Sequence, residues 1–245
     1  MARTHTAIIT GATGGIGQAV VIALAKRGYN VVICYNKNET GATTLLKEAK
    51  AYSNALTVQA DLTKGSEIDR CFREARAYFG KIDVVVTCAG VAHYQSFQDT
   101  TESDFDYVVD TNFKSTALTI SRAIPDMLKL GYGRIVAIGS VWGEIGGSGE
   151  ALYSATKSAI SGMVKALAKE LAPSGITVNA VAPGVVDTPM LDHFQGADRD
   201  YLLSQIPAGR FCTPDEVASL VSHLVSDDSS YVTGEIIQMT GGFIG

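Results

Sequence analysis

Two spacings of apolar residues alternate along this chain. Short runs rich in Val, Ile, Thr and Tyr at 6–10, 30–35, 56–59, 84–88, 134–140, 177–182 and 236–239 read as strands. Between them, longer stretches set apolar residues three and four positions apart, the pattern of helices with one buried face. These cover 16–27, 39–52, 66–79, 102–130, 151–172 and 214–226. The run Val84-Val85-Val86-Thr87-Cys88 is apolar at nearly every position, which suits a strand covered on both faces. Strands alternating with helices throughout predict a parallel sheet with right-handed crossovers and helices on both sides. The expected fold class is α/β, doubly wound, with seven strands.

Composition fits that picture. Hydrophobic residues make up 46% of 245, enough for one sizeable core, and no Pro-, Ser- or Gly-rich linker divides the chain. Residues 1–245 are therefore expected to form a single domain. A formal charge of −5 without a Lys/Arg block argues against nucleic acid and anionic membranes as partners. Cys34, Cys71, Cys88 and Cys212 are scattered and form no C-x-x-C, so neither a disulfide frame nor a zinc site is indicated. His5, His93, His193 and His223 share no ligand spacing, and no metal is expected. The first apolar run, at 7–9, is too short for a signal peptide, and no segment approaches membrane-spanning length. These features predict a cytoplasmic protein.

Between the first strand and the first helix lies Thr10-Gly11-Ala12-Thr13-Gly14-Gly15-Ile16-Gly17. Glycines there permit a tight turn and a close approach of backbone to a pyrophosphate, with the helix N-terminus facing the anion. Position in the chain makes this a dinucleotide cradle, and the fold a Rossmann-type one. A cofactor with a free 2′-hydroxyl usually meets a carboxylate at the end of the second strand. Here the sequence is Cys34-Tyr35-Asn36-Lys37, with no acid before Glu39. Asn36 and Lys37 would suit a 2′-phosphate, so NADP(H) is the expected cofactor.

Tyr153 and Lys157 are four residues apart, hence on one face of a helix, and Ser140 lies thirteen positions upstream. A neighbouring ammonium favours phenolate and is expected to lower the tyrosine pKa from about 10. A phenol so tuned can exchange a proton with a carbonyl or alcohol oxygen near neutral pH, with the Ser140 hydroxyl holding that oxygen.

With these residues placed, the chain closely resembles the short-chain dehydrogenase/reductase family over essentially its whole length. Matching elements are Gly11, Gly15 and Gly17, Asp61 after the third strand, Ala89-Gly90 after the fourth, and Asn112 in the long helix. Ser140, Tyr153 and Lys157 follow, then Pro183-Gly184 and Thr188 after the sixth strand. The resemblance implies that Thr13, Gly14, Ile16 and Tyr35 also border the cofactor, and that Asp61 and Leu62 meet its adenine end. It further implies that Thr188, with the backbone around Val186, holds the nicotinamide amide, that Lys157 binds the adjoining ribose, and that Asn112 anchors a water in a proton relay. A mobile substrate lid is implied at 184–210, with Met190, Leu191 and Phe194 as candidate contacts. Two positions depart from the family pattern. Thr87-Cys88 stands where the family carries two asparagines before Ala-Gly, and Gly14 replaces an arginine common in NADP-users.

Within the family, Gly133-Arg134-Ile135-Val136, Ile176-Thr177-Val178-Asn179 and Val232-Thr233-Gly234 resemble 3-oxoacyl-acyl-carrier-protein reductases. Gly131 and Ser174, however, stand where those enzymes often carry basic residues for the acidic carrier. Ser140-Val141-Trp142-Gly143-Glu144 and Glu150-Ala151-Leu152-Tyr153 look instead like elongation factor P 5-aminopentanone reductases. Glu144 and Glu150 would flank the active-site segment and suit a cationic amino-ketone. The expected substrate is thus a ketone carried on acyl carrier protein or on a lysine of elongation factor P. A catalytically silent NADP-binding regulator is the alternative of a different class. A homotetramer is expected from the resemblance and from the apolar face Ile160, Met163, Val164 and Leu167 beside the small residues Ala159, Gly162 and Ala166.

Overall fold

Every strand expected from an apolar run forms. The computed structural model describes residues 4–191 and 195–243. Its strands are β1 (Thr6–Thr10), β2 (Asn30–Tyr35), β3 (Ala55–Gln59), β4 (Val84–Thr87), β5 (Gly133–Ile138), β6 (Ile176–Pro183) and β7 (Ile236–Met239). They pair in parallel in the order β3-β2-β1-β4-β5-β6-β7.

Period-two alternation divides the buried residues between two faces. Ala7 and Ile9 of β1 pack with Val20 and Leu24 of helix α1 (Gly15–Lys26), Ala42 of α2 (Glu39–Ala49) and Val217 of α9 (Pro214–Leu224). Ile8, between them, points the other way, into a cluster with Phe72 of α3 (Gly65–Phe79), Ile120 of α5 (Ser115–Leu130) and Ile160 of α7 (Ala151–Leu171). β1 has β2 on one side and β4 on the other, so the strand order reverses there. In doubly wound sheets the crevice for ligands opens beyond the carboxyl ends of the strands at that reversal.

The helical stretch expected at 102–130 is interrupted. Helix α4 (Glu102–Val109) passes through a π-helical turn, Asp110–Lys114, before α5. Two short helices that periodicity did not reveal lie beside the crevice: α6 (Trp142–Ile145) and α8 (Ala197–Ser204), the latter within the expected lid. Phe194 and His193 lie outside the described residues. The apolar face assigned to subunit contact turns inward instead. Ile160 and Val164 are buried in the second core, and Met163 and Leu167 pack against it. Gly162 and Ala166 are exposed.

At the opposite, N-terminal edge of the sheet, Asp83 is fully buried. It accepts hydrogen bonds from the Thr6 N–H (2.6 Å) and Lys81 Nζ (2.9 Å), and its Oδ2 is 3.0 Å from His5 Nδ1. The His5 ring stacks on Tyr132 with centroids 4.7 Å apart, and the Arg134 guanidinium covers Tyr132 at 4.2 Å. Arg134 also donates to Asp227.

Candidate active site

Gly139 and Ser140 leave β5 as it reaches the crevice, and the first turns of α7 face them with Tyr153 and Lys157. Lys157 is buried, and its Nζ donates to the Ile138 carbonyl at 3.0 Å. That Nζ lies 5.6 Å from the centroid of the Tyr153 ring. The Ser140 hydroxyl lies close enough to the Tyr153 phenol to lower its pKa, and it accepts from the Trp142 N–H at 3.2 Å. Asn112, on the π turn, is fully buried. It accepts from the Val91 N–H (2.7 Å) and donates to the Val91 carbonyl (3.0 Å) and to Thr156 Oγ1 (3.2 Å). A Cβ on Gly90 would stand 3.3 Å from Asn112 Oδ1 and 3.4 Å from Lys157 Nζ. Asn112, Ser140, Tyr153 and Lys157 are therefore gathered around one point, with Gly90 leaving room between them.

The electrostatics correct one expectation. Tyr153 is not lowered: burial pushes its phenol up to about 12, the Ser140 hydroxyl pulls it down, and Glu150 adds a further upward push. Burial likewise lowers Lys157 to about 8, only slightly countered by Cys88. Spacing along a helix tells which groups are neighbours, but not how much water is removed from both. Here desolvation is the largest cause at both groups.

The two flanking carboxylates separate. Glu144 accepts from Ser161 Oγ at 2.5 Å, which ties α6 to the side of α7. Glu150 is half-buried, and among the described residues its carboxylate makes no hydrogen bond or ion pair. Burial raises its pKa. Across Gly147 it faces the Trp142 ring: a Cβ there would lie 3.1 Å from the indole and 3.2 Å from Glu150 Oε2.

The glycine turn has the shape a dinucleotide requires. Gly11 has φ of +59°, and a Cβ on it would stand 2.7 Å from the Ala89 backbone. A Cβ on Gly15 would stand 2.6 Å from Thr188 Cγ2, so Thr188 lies against the turn, and one on Gly17 would stand 2.3 Å from the Gly11 carbonyl. The Ala12 N–H donates to the Cys34 carbonyl at 3.1 Å, which joins the turn to the end of β2. Gly14 precedes α1 with no side chain capping the helix, so its positive end faces the crevice without a side-chain acceptor. Asn36 and Lys37 are exposed beyond Tyr35. Asp61 is held below the ordinary carboxylate range, first by the Thr63 hydroxyl (2.8 Å), with Lys64 beside it. Leu62 is half-buried behind it. Pro183 ends β6, the Gly184 N–H donates to the Met239 carbonyl, and Val186 is buried. A glycine-lined surface, an uncapped helix end and an exposed cation beyond β2 fit a dinucleotide.

Sequence reasoning missed three neighbours. Thr156, inside the Tyr-x-x-x-Lys segment, donates to the Tyr153 carbonyl (2.7 Å) and accepts from Asn112. Its hydroxyl at that position was the available signal. His93 has a buried Nε2 without a partner in the segment after β4. Phe243 meets Trp142 edge-on with centroids 5.4 Å apart, and no periodicity marks it.

A parallel sheet with a glycine-lined cradle and a Ser–Tyr–Lys cluster at its carboxyl edge defines a nicotinamide-binding oxidoreductase. Comparison with known proteins narrows the class. A family model described as enoyl-(acyl carrier protein) reductase matches residues 11–244. The chain is 40% identical over 240 residues to the uncharacterized oxidoreductase YmfI of Bacillus subtilis, covering 97% of this chain and 98% of that protein. It is 37% identical over 243 residues to the 3-oxoacyl-[acyl-carrier-protein] reductase FabG of Staphylococcus aureus, covering 99% of each. Against the FabG of Thermotoga maritima it is 37% identical over 238 residues, 97% of this chain and 96% of the other. The chain belongs to the short-chain dehydrogenase/reductase family. No helix among the described residues is long and apolar enough to cross a membrane.

Proposed function

We propose that the protein is an NADPH-dependent ketone reductase of the 3-oxoacyl-[acyl-carrier-protein] reductase type. The observation that carries this reading is the meeting of Ser140, Tyr153, Lys157 and Asn112 beside Gly90, supported by near-full-length similarity to the FabG reductases. A nicotinamide cofactor, when bound, supplies the hydride. The chain supplies the proton and the geometry. Tyr153, raised to about 12, stays protonated across the neutral range and donates its proton to the substrate oxygen. Ser140 holds that oxygen where negative charge develops. Lys157, at about 8, is mostly charged at pH 7, stabilises the phenolate left when the Tyr153 proton departs and binds the cofactor ribose. Asn112 fixes Val91 and Thr156 and anchors the relay water.

Gly11, Thr13, Gly14, Gly15, Ile16 and Gly17 are assigned to the pyrophosphate, Tyr35, Asn36 and Lys37 to the 2′-phosphate, and Asp61 and Leu62 to the adenine. Ala89, Gly90, Pro183, Gly184, Val186 and Thr188 are assigned to the nicotinamide end. We assign residues 184–210 as the substrate lid of a single cytoplasmic domain. The homotetramer remains part of this reading, with Ala159, Gly162 and Ala166 of α7 as the close-approach surface, of which Gly162 and Ala166 are exposed. NADPH is expected to bind more tightly than NADH, and Lys37→Asp to reduce that preference about tenfold by setting a carboxylate against the 2′-phosphate. Equal affinities of the unaltered protein for the two cofactors, by fluorescence titration, would remove the NADPH assignment.

One observation favours a second reading. The unpartnered, half-buried Glu150 beside Tyr153 suits a cationic substrate, as in reduction of a 5-aminopentanone-modified lysine of elongation factor P. NADPH oxidation measured side by side with acetoacetyl thioester and with that modified protein separates the two. Strong thioester turnover that survives Glu150→Gln eliminates the amino-ketone, whereas turnover only with the modified protein eliminates the acyl thioester. Any ketone-dependent NADPH oxidation discards a silent regulator.

A further inference from the structure

A third, small core lies apart from the two that clothe the sheet. Val141, Ile206 and Phe243 are buried in it, with Trp142, Val185 and Phe211 packed against them. It joins three segments far apart in sequence: the turn after Ser140, the return limb of the 184–210 segment, and the residues after β7. The joints are specific. The Val141 N–H donates to the Pro183 carbonyl (2.8 Å), the Ala208 N–H to Gly241 (2.9 Å) and the Cys212 N–H to Val185 (2.9 Å). Gly241 and Gly242 have φ of +62° and +88°, and a Cβ on either would press on Ile206, Pro207 or Ala208 at about 3 Å. That close approach brings Phe243 to the Trp142 ring, at 5.4 Å and 73°. A cavity of about 370 Å³, bordered by Val185, Ile206, Arg210 and Met239, opens alongside. The edge-to-face pair thus joins the residues after β7 to the Ser140 turn, alongside the backbone bonds through Pro183 and Gly184.

We propose that Phe243 is a positioning residue for Ser140, acting through the ring and main chain of Trp142. The Trp142 N–H is the donor that Ser140 Oγ accepts, at 3.2 Å, and Phe243 fixes the ring of the same residue. The amide bond fixes the position of that oxygen and occupies one of its lone pairs, which leaves its single hydrogen free to be donated on the side of the substrate oxygen. If the turn swings, that direction is lost although Ser140 remains present. The inference rests on the ketone-reductase reading.

Trp142 is the sole tryptophan, so its fluorescence reports this contact independently of turnover. In Phe243→Ala, kcat for acetoacetyl-coenzyme A reduction by NADPH is expected to fall about tenfold, while KM and the NADPH dissociation constant stay within about twofold. Trp142 emission is expected to shift to the red and to become more quenchable by acrylamide. Phe243→Leu, which restores apolar volume, is expected to return kcat to within about threefold. The proposal is overturned if kcat stays within about twofold of the unaltered protein, if it falls while emission is unchanged, or if NADPH affinity falls in step with it. Should Phe243→Ala not fold, Phe243→Val carries the same reading. If the unaltered protein reduces no ketone, the functional reading fails, and unchanged emission in the variant would separately remove the contact.

Discussion

The two edges of the sheet treat buried charge in opposite ways. Where strands begin, burial pushes the Asp83 carboxyl up, but His5, Lys81 and the Thr6 N–H together outweigh it and hold the group below its ordinary range. Where strands end, Glu150 is pushed up by burial with no bond to offset it, Lys157 is pushed down, and Tyr153 is pushed up. A buried charge with partners fastens chain segments together. One whose desolvation is not offset lowers folding stability.

The largest expected effect lies at the carboxyl edge. Tyr153→Phe removes the proton donor and should lower turnover about a thousandfold with little change in melting temperature. Near-normal rates of NADPH oxidation would end its assignment as the acid. At the other edge, Asp83→Asn breaks a buried, charge-assisted cluster and should destabilise the fold by about 3 kcal/mol in urea unfolding, with kcat of the remaining folded protein unchanged. Because the folded pKa of Asp83 is depressed, its contribution is present above the unfolded value near 4 and is lost as pH falls through the folded value. The aspartate's advantage over the variant should therefore shrink in acid, and a pH-independent difference would contradict the pairing.

Lys157→Met should abolish most turnover yet stabilise the protein. A lysine lowered from 10.5 to about 8 contributes its stability above the unfolded value and loses it as pH falls from there to about 8, leaving a penalty of about 3 kcal/mol at neutral pH. Losing the bond to Ile138 returns about 1 kcal/mol of that, for a net gain of about 2 at pH 7 that disappears above pH 10.5. A variant less stable than the parent at pH 7 would show that Lys157 belongs with the paired charges. The smallest effect should come from Glu150→Gln, with stability changed by less than about 0.5 kcal/mol. A loss comparable with that of Asp83→Asn would mean the carboxylate is structural after all.

The paired edge was nearly invisible in the sequence. His5 reads as an isolated histidine and Asp83 as a loop acid, because only the pairing of β1 with β4 brings residues 78 positions apart together. The seven strands and the glycine turn were legible because apolar runs and backbone requirements are local. Tyr153, Lys157 and Ser140 were legible because a helix repeat and a strand end fix their neighbourhood. The tyrosine's electrostatics was not, since burial is a property of the assembled fold. Helix α8 escaped because, with no buried residues, it leaves no periodic apolar stripe. The inward turn of Ile160 and Val164 was hidden for the converse reason: an apolar stripe does not say which surface covers it.

The π turn at Asp110–Lys114 bears on how this chain tolerates changes of length. A π turn is an α-helix carrying one extra residue. It lets Asn112 reach Val91 and Thr156 together while α4 and α5 keep their packing on either side. Deleting a single residue there would restore a regular helix and leave both flanks in place, but it would remove the widened turn that carries Asn112. Asn112 would then lose its reach to Val91 and Thr156. Single-residue insertions and deletions should thus be far better accepted in the thinly packed α8 than in this buried turn, although the sequence around Asn112 looks like ordinary, uninterrupted helix.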